Sequence, residues 1–329
     1  MLSIRPHHLL GTSGVALAAL ICLNLAIVRA ARQLPPQQLL QRIERTAAKT
    51  RFVFLGDSQM AADIDPALFS AACARPNDLR PSINVGIGAT KASEHFLILE
   101  QLLAHAPAAD VVFYGFYDNL LTEPVPSRFQ ELGGNRALAF LWPARAAELI
   151  FPSQPVSQWQ FRFIATIPMV AERLGIWAKV ERARRYLAAI GVPPAAESRF
   201  GRAADFAGAE PADEHRFEES LGRAVREQQP LNHSVKEILR LSSSRNLTFH
   251  LILMPVPSGH RTRFYRSTAW IEYLNHIRDL IGSGAQVIDA SDWLADENFE
   301  DALHAAPTGA KLFSAQLAQQ VCERHLTTP

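Results

Sequence analysis

Cysteine is scarce in this chain. Three occur in 329 residues, Cys22, Cys73 and Cys322, and none stands in a CxxC pair or beside histidines at ligand spacing. Zinc-type sites need such clusters, so no metal is expected. Cys73 and Cys322 read as buried free thiols, with a disulfide in an oxidising compartment as the alternative. An excess of either charge is missing too: 33 basic residues face 32 acidic ones, a formal net charge of +1. No global field draws such a chain to nucleic acid, which is set aside as a partner. There is no internal repeat and no low-complexity segment. The 48% hydrophobic and 20% charged content is that of an ordinary globular protein with enough apolar residues to fill a core.

Long apolar runs are absent as well, with one exception at the amino end. Residues 9–28 read LLGTSGVALAALICLNLAIV without a charge, and at 1.5 Å per residue that length matches the roughly 30 Å hydrocarbon core of a bilayer. The expectation is a single helix anchoring residues 1–32 in a cytoplasmic membrane, with the body on the periplasmic or extracellular side. Val28, Arg29 and Ala30 leave a cleaved signal peptide open, although signal cores usually run about 7 to 15 apolar residues. Arg29 and Arg32 flank the far end and blur any orientation read from charge.

After a Pro/Gln-rich spacer at 33–38 comes a short helical segment, and then apolar runs alternate with helical patterns, which predicts an α/β fold. Five runs rich in Val, Ile, Leu or Phe read as buried parallel strands: 52–55, 83–87, 111–114, 248–254 and 286–288. They make a five-stranded doubly wound sheet, whose ligands bind at the carboxyl ends of its strands. About 130 residues separate the third run from the fourth, far beyond an ordinary crossover. This segment is expected to be a helical cap insertion at 120–245, splitting the main domain into 33–119 and 246–329. Within it, 137–151 and 160–190 look helical, while 193–229 is a polar tract read as an excursion or a further surface helix. Its aromatic residues Trp142, Phe151 and Trp159 line a lipid-like substrate, touch a membrane partner or simply pack on the sheet.

The sharpest local feature is Phe52-Val53-Phe54-Leu55-Gly56-Asp57-Ser58-Gln59, a hydrophobic strand that ends in Gly-Asp-Ser and runs into a helix-compatible stretch. A serine there stands exposed at the top of the sheet, where the next helix's first N–H groups favour a developing oxyanion. As an N-cap, Ser58 or Asp57 has a purely structural role, so the tripeptide alone decides nothing. Near the other end, Phe299-Glu300-Asp301-Ala302-Leu303-His304 precedes a last helix. At this three-residue spacing a carboxylate can hold Nδ1–H of the same imidazole and leave Nε2 to take a serine proton. One loop then supplies both base and orienter.

These two blocks resemble those of the SGNH hydrolase superfamily, which has Gly-Asp-Ser after its first strand and Asp-x-x-His before its last helix. The resemblance covers roughly residues 50–125 and 245–325. It implies a flavodoxin-like three-layer α/β/α fold and acyl chemistry through Ser58, His304 and Asp301, with no metal or cofactor. The family's second block resembles Asn84-Val85-Gly86-Ile87-Gly88-Ala89-Thr90, where Gly88 matches the oxyanion-hole glycine and Gly86 is the near alternative. Both glycines also read as turn formers. The third block departs from the family's Gly-x-Asn-Asp: the chain has Gly115-Phe116-Tyr117-Asp118-Asn119. Tyr117 falls where the asparagine belongs, and Asn119 is the displaced candidate donor, one such donor being worth about 2.7 to 4 kcal/mol elsewhere. Tyr117 and Asp118 are further site candidates, and Asp57, Tyr117 and His260 are candidates for substrate binding. His260 follows the fourth strand without a carboxylate near it in sequence, and reads as a substrate contact, an alternative base or a solvated side chain.

The resemblance further implies serine-dependent acyl transfer or ester hydrolysis on a cell-surface glycan, as in proteins of polysaccharide O-acetylation and D-alanine transfer. A multi-spanning membrane O-acyltransferase is the partner such proteins usually accompany. The alternatives are a simple membrane-bound esterase or lipase, and an inactive scaffold in a polysaccharide-export complex. A Rossmann cofactor site fails on the residues, because Gly86-x-Gly88 lacks its third glycine and Asp57-Ser58 follows Gly56.

Overall fold

The chain is described from a computed structural model that covers residues 6–31, 35–75, 78–88, 90–118, 121–122, 137–167 and 211–324, with part of the side chains in the first stretch. The five apolar runs pair side by side as β1 (Phe52–Leu55), β2 (Ser82–Asn84), β3 (Val111–Phe116), β4 (Thr248–Leu253) and β5 (Gln286–Asp289). All neighbours are parallel, and the order is β2-β1-β3-β4-β5, the flavodoxin-like arrangement. The second strand stops at Asn84, three residues short of the expected end. Beyond it Val85 and Ile87 still bond to the β1 side, donating to the carbonyls of Phe54 and Gly56.

Alternation along β1 divides the interior in two, because successive side chains of a strand point to opposite faces. Phe52 and Phe54 enter one core, with Phe113 stacked on Phe54 at 4.9 Å and Phe69 edge-on to both β1 rings. Val53 and Leu55 enter the other. Helices α3 (Ser58–Asp63) and α4 (Pro66–Cys73), together with α12 (Pro307–Arg324), cover the first face. The second face takes α2 (Pro35–Thr46), α5 (Ala92–His105), α10 (His233–Ser244) and α11 (Thr268–Ile281). Burying a Leu or Phe side chain in such a core contributes about 1.5 to 3 kcal/mol.

The described part of the long insertion adds to this second layer. Helices α6 (Ala137–Leu141) and α7 (Pro143–Ile150) lean on α5, and α8 (Pro155–Ala165) leans on α7. Arg145 ties α7 down by bonding Glu100 while its guanidinium lies over the Phe96 ring at 4.8 Å. Phe151 is buried near Phe161 and Trp142 packs on the core, whereas Trp159 is exposed and stacks on Phe163. Helix α9 (Pro211–Arg226) packs on α11, with Phe217 against Phe264 and Trp270. The helical reading of 160–190 extends beyond the described residues, as does the first half of the 193–229 tract.

Two expectations change. The apolar amino-terminal run does become a helix, α1 (Pro6–Ala31), but among the described residues no helix is long and apolar enough to cross a membrane. Its described side chains, Val15 and residues 17–27 among them, include the amide of Asn24, whose Nδ2 donates to the Leu20 carbonyl. The run also carries Gly11, Thr12, Ser13 and Gly14, which with Asn24 dilute its apolar character, so the single-pass, membrane-anchored reading is corrected. The second change concerns the cysteines. Cys73 on α4 and Cys322 on α12 form a disulfide, while Cys22 is free. The two helices pack face to face in the same core, which brings the Cα atoms to 5.6 Å.

A bridge that closes 249 residues of separation constrains the unfolded chain strongly. Reduction, or Cys73→Ser, is expected to lower unfolding free energy by about 2 to 4 kcal/mol in urea titrations. An unchanged midpoint with and without reductant would show that the bridge contributes nothing.

Candidate active site

The strand order places a topological switch between β1 and β3, and Ser58 follows β1 at that point. β1 gives way to a helix whose first backbone N–H groups have no partner within the helix, and Asp57 provides one. As N-cap of α3 its carboxylate accepts the Gln59 N–H at 3.0 Å, which starts the helix with Ser58 in its first position. Ser58 is half-buried at the carboxyl edge of the sheet.

Asp301 and His304 arrive from the loop after β5. The Asp301 carboxylate first shapes its own turn: Oδ1 accepts the N–H of Leu303 at 2.9 Å and that of His304 at 2.8 Å. The same group then takes the imidazole, with Nδ1 at 2.9 Å from both carboxylate oxygens. A carboxylate only accepts, so Nδ1 carries the ring proton and Nε2 presents a lone pair. That Nε2 lies 2.9 Å from Ser58 Oγ. The three residues singled out at opposite ends of the chain therefore meet in one hydrogen-bonded line, with the Asp301 and His304 side chains 7% and 12% exposed.

The two candidate glycines are separated by their contacts. A Cβ on Gly86 would meet the backbone N of Ala61 at 2.6 Å, so Gly86 is required by the close approach of the β2 turn to α3. A Cβ on Gly88 would lie 3.5 Å from Ser58 Cβ, which places Gly88 directly against the serine. Asn84 locks this turn: its side chain donates to the Met60 carbonyl and accepts the Gly86 N–H. Below it, Thr90 donates to the Ile87 carbonyl at 2.6 Å and receives a bond from His95 Nε2, while His95 Nδ1 accepts from the Tyr114 hydroxyl. Burial pushes His95 down to about 3, so this brace is neutral. Asn119 lies outside the described residues.

The remaining candidates border the same edge. Burial raises Asp57 to about 6; the Gln59 N–H and the nearby His304 pull it down, and Asp118 pushes it up. Tyr117 is held well above the usual phenol range by burial and by the charges of Asp57 and Asp118. His260 departs from its reading as a loop histidine lacking a carboxylate. It is buried, and its Nε2 sits 3.0 Å from Asp118 Oδ1, which also accepts the Tyr265 hydroxyl at 3.1 Å. Asp118 adopts a positive φ of 51°, which turns its side chain back to these partners from the end of β3. Sequence reasoning missed this partnership because the residues are 142 apart in the chain. It also missed the buried Gln59 and Asp63, whose only signal was two polar residues four apart on a short helix that the fold has to bury.

No family model and no curated protein matches this chain. Among solved structures, a chain from Streptococcus pneumonia provisionally assigned as a platelet activating factor is 12% identical, with a TM-score of 0.38 over 92% of this chain and 97% of its own. An acetyl xylan esterase from the rumen bacterium Butyrivibrio proteoclasticus is 10% identical with a TM-score of 0.32, over 84% of this chain and 64% of its own. Both likenesses are remote, and the chemistry of the site rests on its own geometry.

Two outcomes are expected from this arrangement. Asp57, raised above its ordinary 3.8, binds its proton more tightly in the folded state, so its favourable share of stability is full below about pH 4 and is lost as pH rises through about 6. Asp57→Asn keeps the cap oxygen without the charge. Its stability advantage over the parent, from urea titrations, should grow across that window and level off above it; a pH-independent difference would contradict the buried-carboxylate account. Gly86→Ala should cost about 1 to 3 kcal/mol through overpacking against α3, while Gly88→Ala leaves the melting temperature nearly unchanged. Equal losses in thermal melts would contradict the separation of the two glycines.

Proposed function

We propose that this chain is a serine-dependent ester hydrolase of the SGNH type, working through an acyl-enzyme on Ser58. The observation that carries the reading is the continuous contact from Asp301 through His304 to Ser58 Oγ, with each bond at 2.9 Å. In the first half-reaction Ser58 Oγ attacks the ester carbonyl carbon as its proton passes to His304 Nε2. The carbonyl π electrons move to oxygen, and the Ser58 and Gly88 backbones flank the site where that oxyanion forms. Collapse breaks the bond to the leaving alkoxide, which takes the proton from His304. Water then repeats the sequence and releases the acid. Asp301 keeps the imidazole in one tautomer and favours the imidazolium, as does ionised Asp57 nearby. General base catalysis of this kind contributes about 10²- to 10⁴-fold.

The acyl-enzyme can also pass its acyl group to another hydroxyl, and a carbohydrate acceptor is the finer reading we propose. What supports it is the exposed aromatic pair on α8, Trp159 and Phe163, stacked at 5.6 Å, since sugar rings lie against exposed aromatic faces. Product analysis with an aryl acetate and candidate glycans, comparing acylated glycan with free acid, decides between the two fates. Free acid alone in every mixture leaves plain hydrolysis.

Ser58→Ala and His304→Ala are each expected to lower aryl acetate turnover by roughly three or more orders of magnitude, with the double variant no slower, because such residues act as a unit. Asp301→Asn should be milder. Retained turnover in Ser58→Ala, or fluorophosphonate labelling elsewhere than Ser58, would overturn the assignment.

A further inference from the structure

Ser58 and His304 come from opposite ends of the chain, and α3 itself reaches across to the loop that carries the base. Gln59, the residue after Ser58, is fully buried, and its Nε2 donates to the Leu303 carbonyl at 3.0 Å and to the Pro255 carbonyl at 3.3 Å. One turn later Asp63, equally buried, accepts the Ala305 N–H at 2.8 Å. The residues immediately before and after His304 are thus both gripped by the helix that begins with Ser58. Burying two polar side chains on one face of a six-residue helix is costly unless each finds its partner, and an apolar pair would fill the same space more cheaply.

We propose that Gln59 and Asp63 are positioning residues that fix the backbone at 303–305 against α3, so that His304 Nε2 meets Ser58 Oγ in line. The proposal deepens the serine-hydrolase reading and rests on it. Asp301 orients the imidazole within its own turn; Gln59 and Asp63 locate that whole turn relative to the nucleophile. Their effect on chemistry is therefore indirect and falls on the encounter of base and serine rather than on substrate binding. Errors of about 1 Å in such an encounter can cost on the order of 10²-fold.

The test uses the full chain and three variants. Gln59→Met keeps the length and removes the donor, Asp63→Asn keeps an acceptor for the Ala305 N–H, and Asp63→Leu removes it. Three readouts are taken: kcat and KM on an aryl acetate, the fluorophosphonate labelling rate of Ser58, and the downfield proton NMR line of His304 Nδ1–H, identified by its loss in His304→Ala. Gln59→Met and Asp63→Leu should slow kcat and labelling by about 10- to 100-fold with little change in KM, and should shift or broaden the Nδ1–H line. Asp63→Asn should stay close to the parent in all three. A parental rate in Gln59→Met, or Asp63→Asn as slow as Asp63→Leu, would overturn the proposal. If Asp63→Leu does not fold, Gln59→Met and Asp63→Asn still decide it. Failure of the hydrolase reading looks different: the parent takes no label and turns nothing over, while the NMR line still reports whether Gln59 grips the His304 turn.

Discussion

The hydrogen bond from Ser58 to His304 joins residues 246 apart, and much of the fold is arranged around making that contact possible. Neither partner can place the other. Ser58 is fixed by β1 and by the Asp57 cap at the start of α3, while His304 is fixed by a loop that Asp301 winds tightly on itself. That loop is closed at its base by the pairing of Phe299 with Ala305 and by the Ala306 N–H bonding to the Asn298 carbonyl. Gly309 lets α12 start against this base, since a Cβ there would meet the Asn298 carbonyl at 2.2 Å. The loop is therefore a small rigid body, and what remains is to set it against α3.

The parallel sheet performs that larger alignment. Every strand runs the same way, so every loop leaving a carboxyl end comes to one edge, and strand order decides which loops are neighbours. The β2 turn with Gly88 and the β1 turn with Ser58 are adjacent, and the β3 and β4 turns bring Asp118 and His260 to the next positions. The two phenylalanine-rich and aliphatic cores hold this geometry from below, and the disulfide between α4 and α12 fastens the layer on which both α3 and the His304 loop lie. Charge is distributed with similar economy. Asp57 lies near enough to His304 for their charges to interact and the Asp301 carboxylate bonds the imidazole directly, while the brace under Gly88 stays neutral through His95.

Much of this was legible in the chain itself. The central strands β1, β3 and β4 are buried on both faces and have to be continuous apolar runs, the edge strands β2 and β5 follow the same alternation with helices, and Gly-Asp-Ser and Asp-x-x-His each hold their chemistry within a few residues. What could not be read was anything set by distant contact. Asp118 and His260 stand as separate candidates at two strand ends and become a pair only because β3 and β4 are neighbours. Spacing aside, nothing in the sequence marks Gln59 and Asp63 as buried; only the packing of α3 against the His304 loop does. The pairing of Cys73 with Cys322 depended on two helices meeting across the first core, and the amino-terminal run carried the composition of a membrane span that the described helix does not fulfil.

The account stands or falls on whether Ser58 becomes covalently acylated during turnover. Rapid-quench mass spectrometry of the intact chain and its peptides after mixing with an aryl acetate measures this directly. The geometry predicts a transient gain of one acetyl group confined to the peptide containing Ser58, formed with the burst of released phenol and lost as acetate appears. Turnover without any acylated peptide, or with the acyl group on another residue, would contradict it.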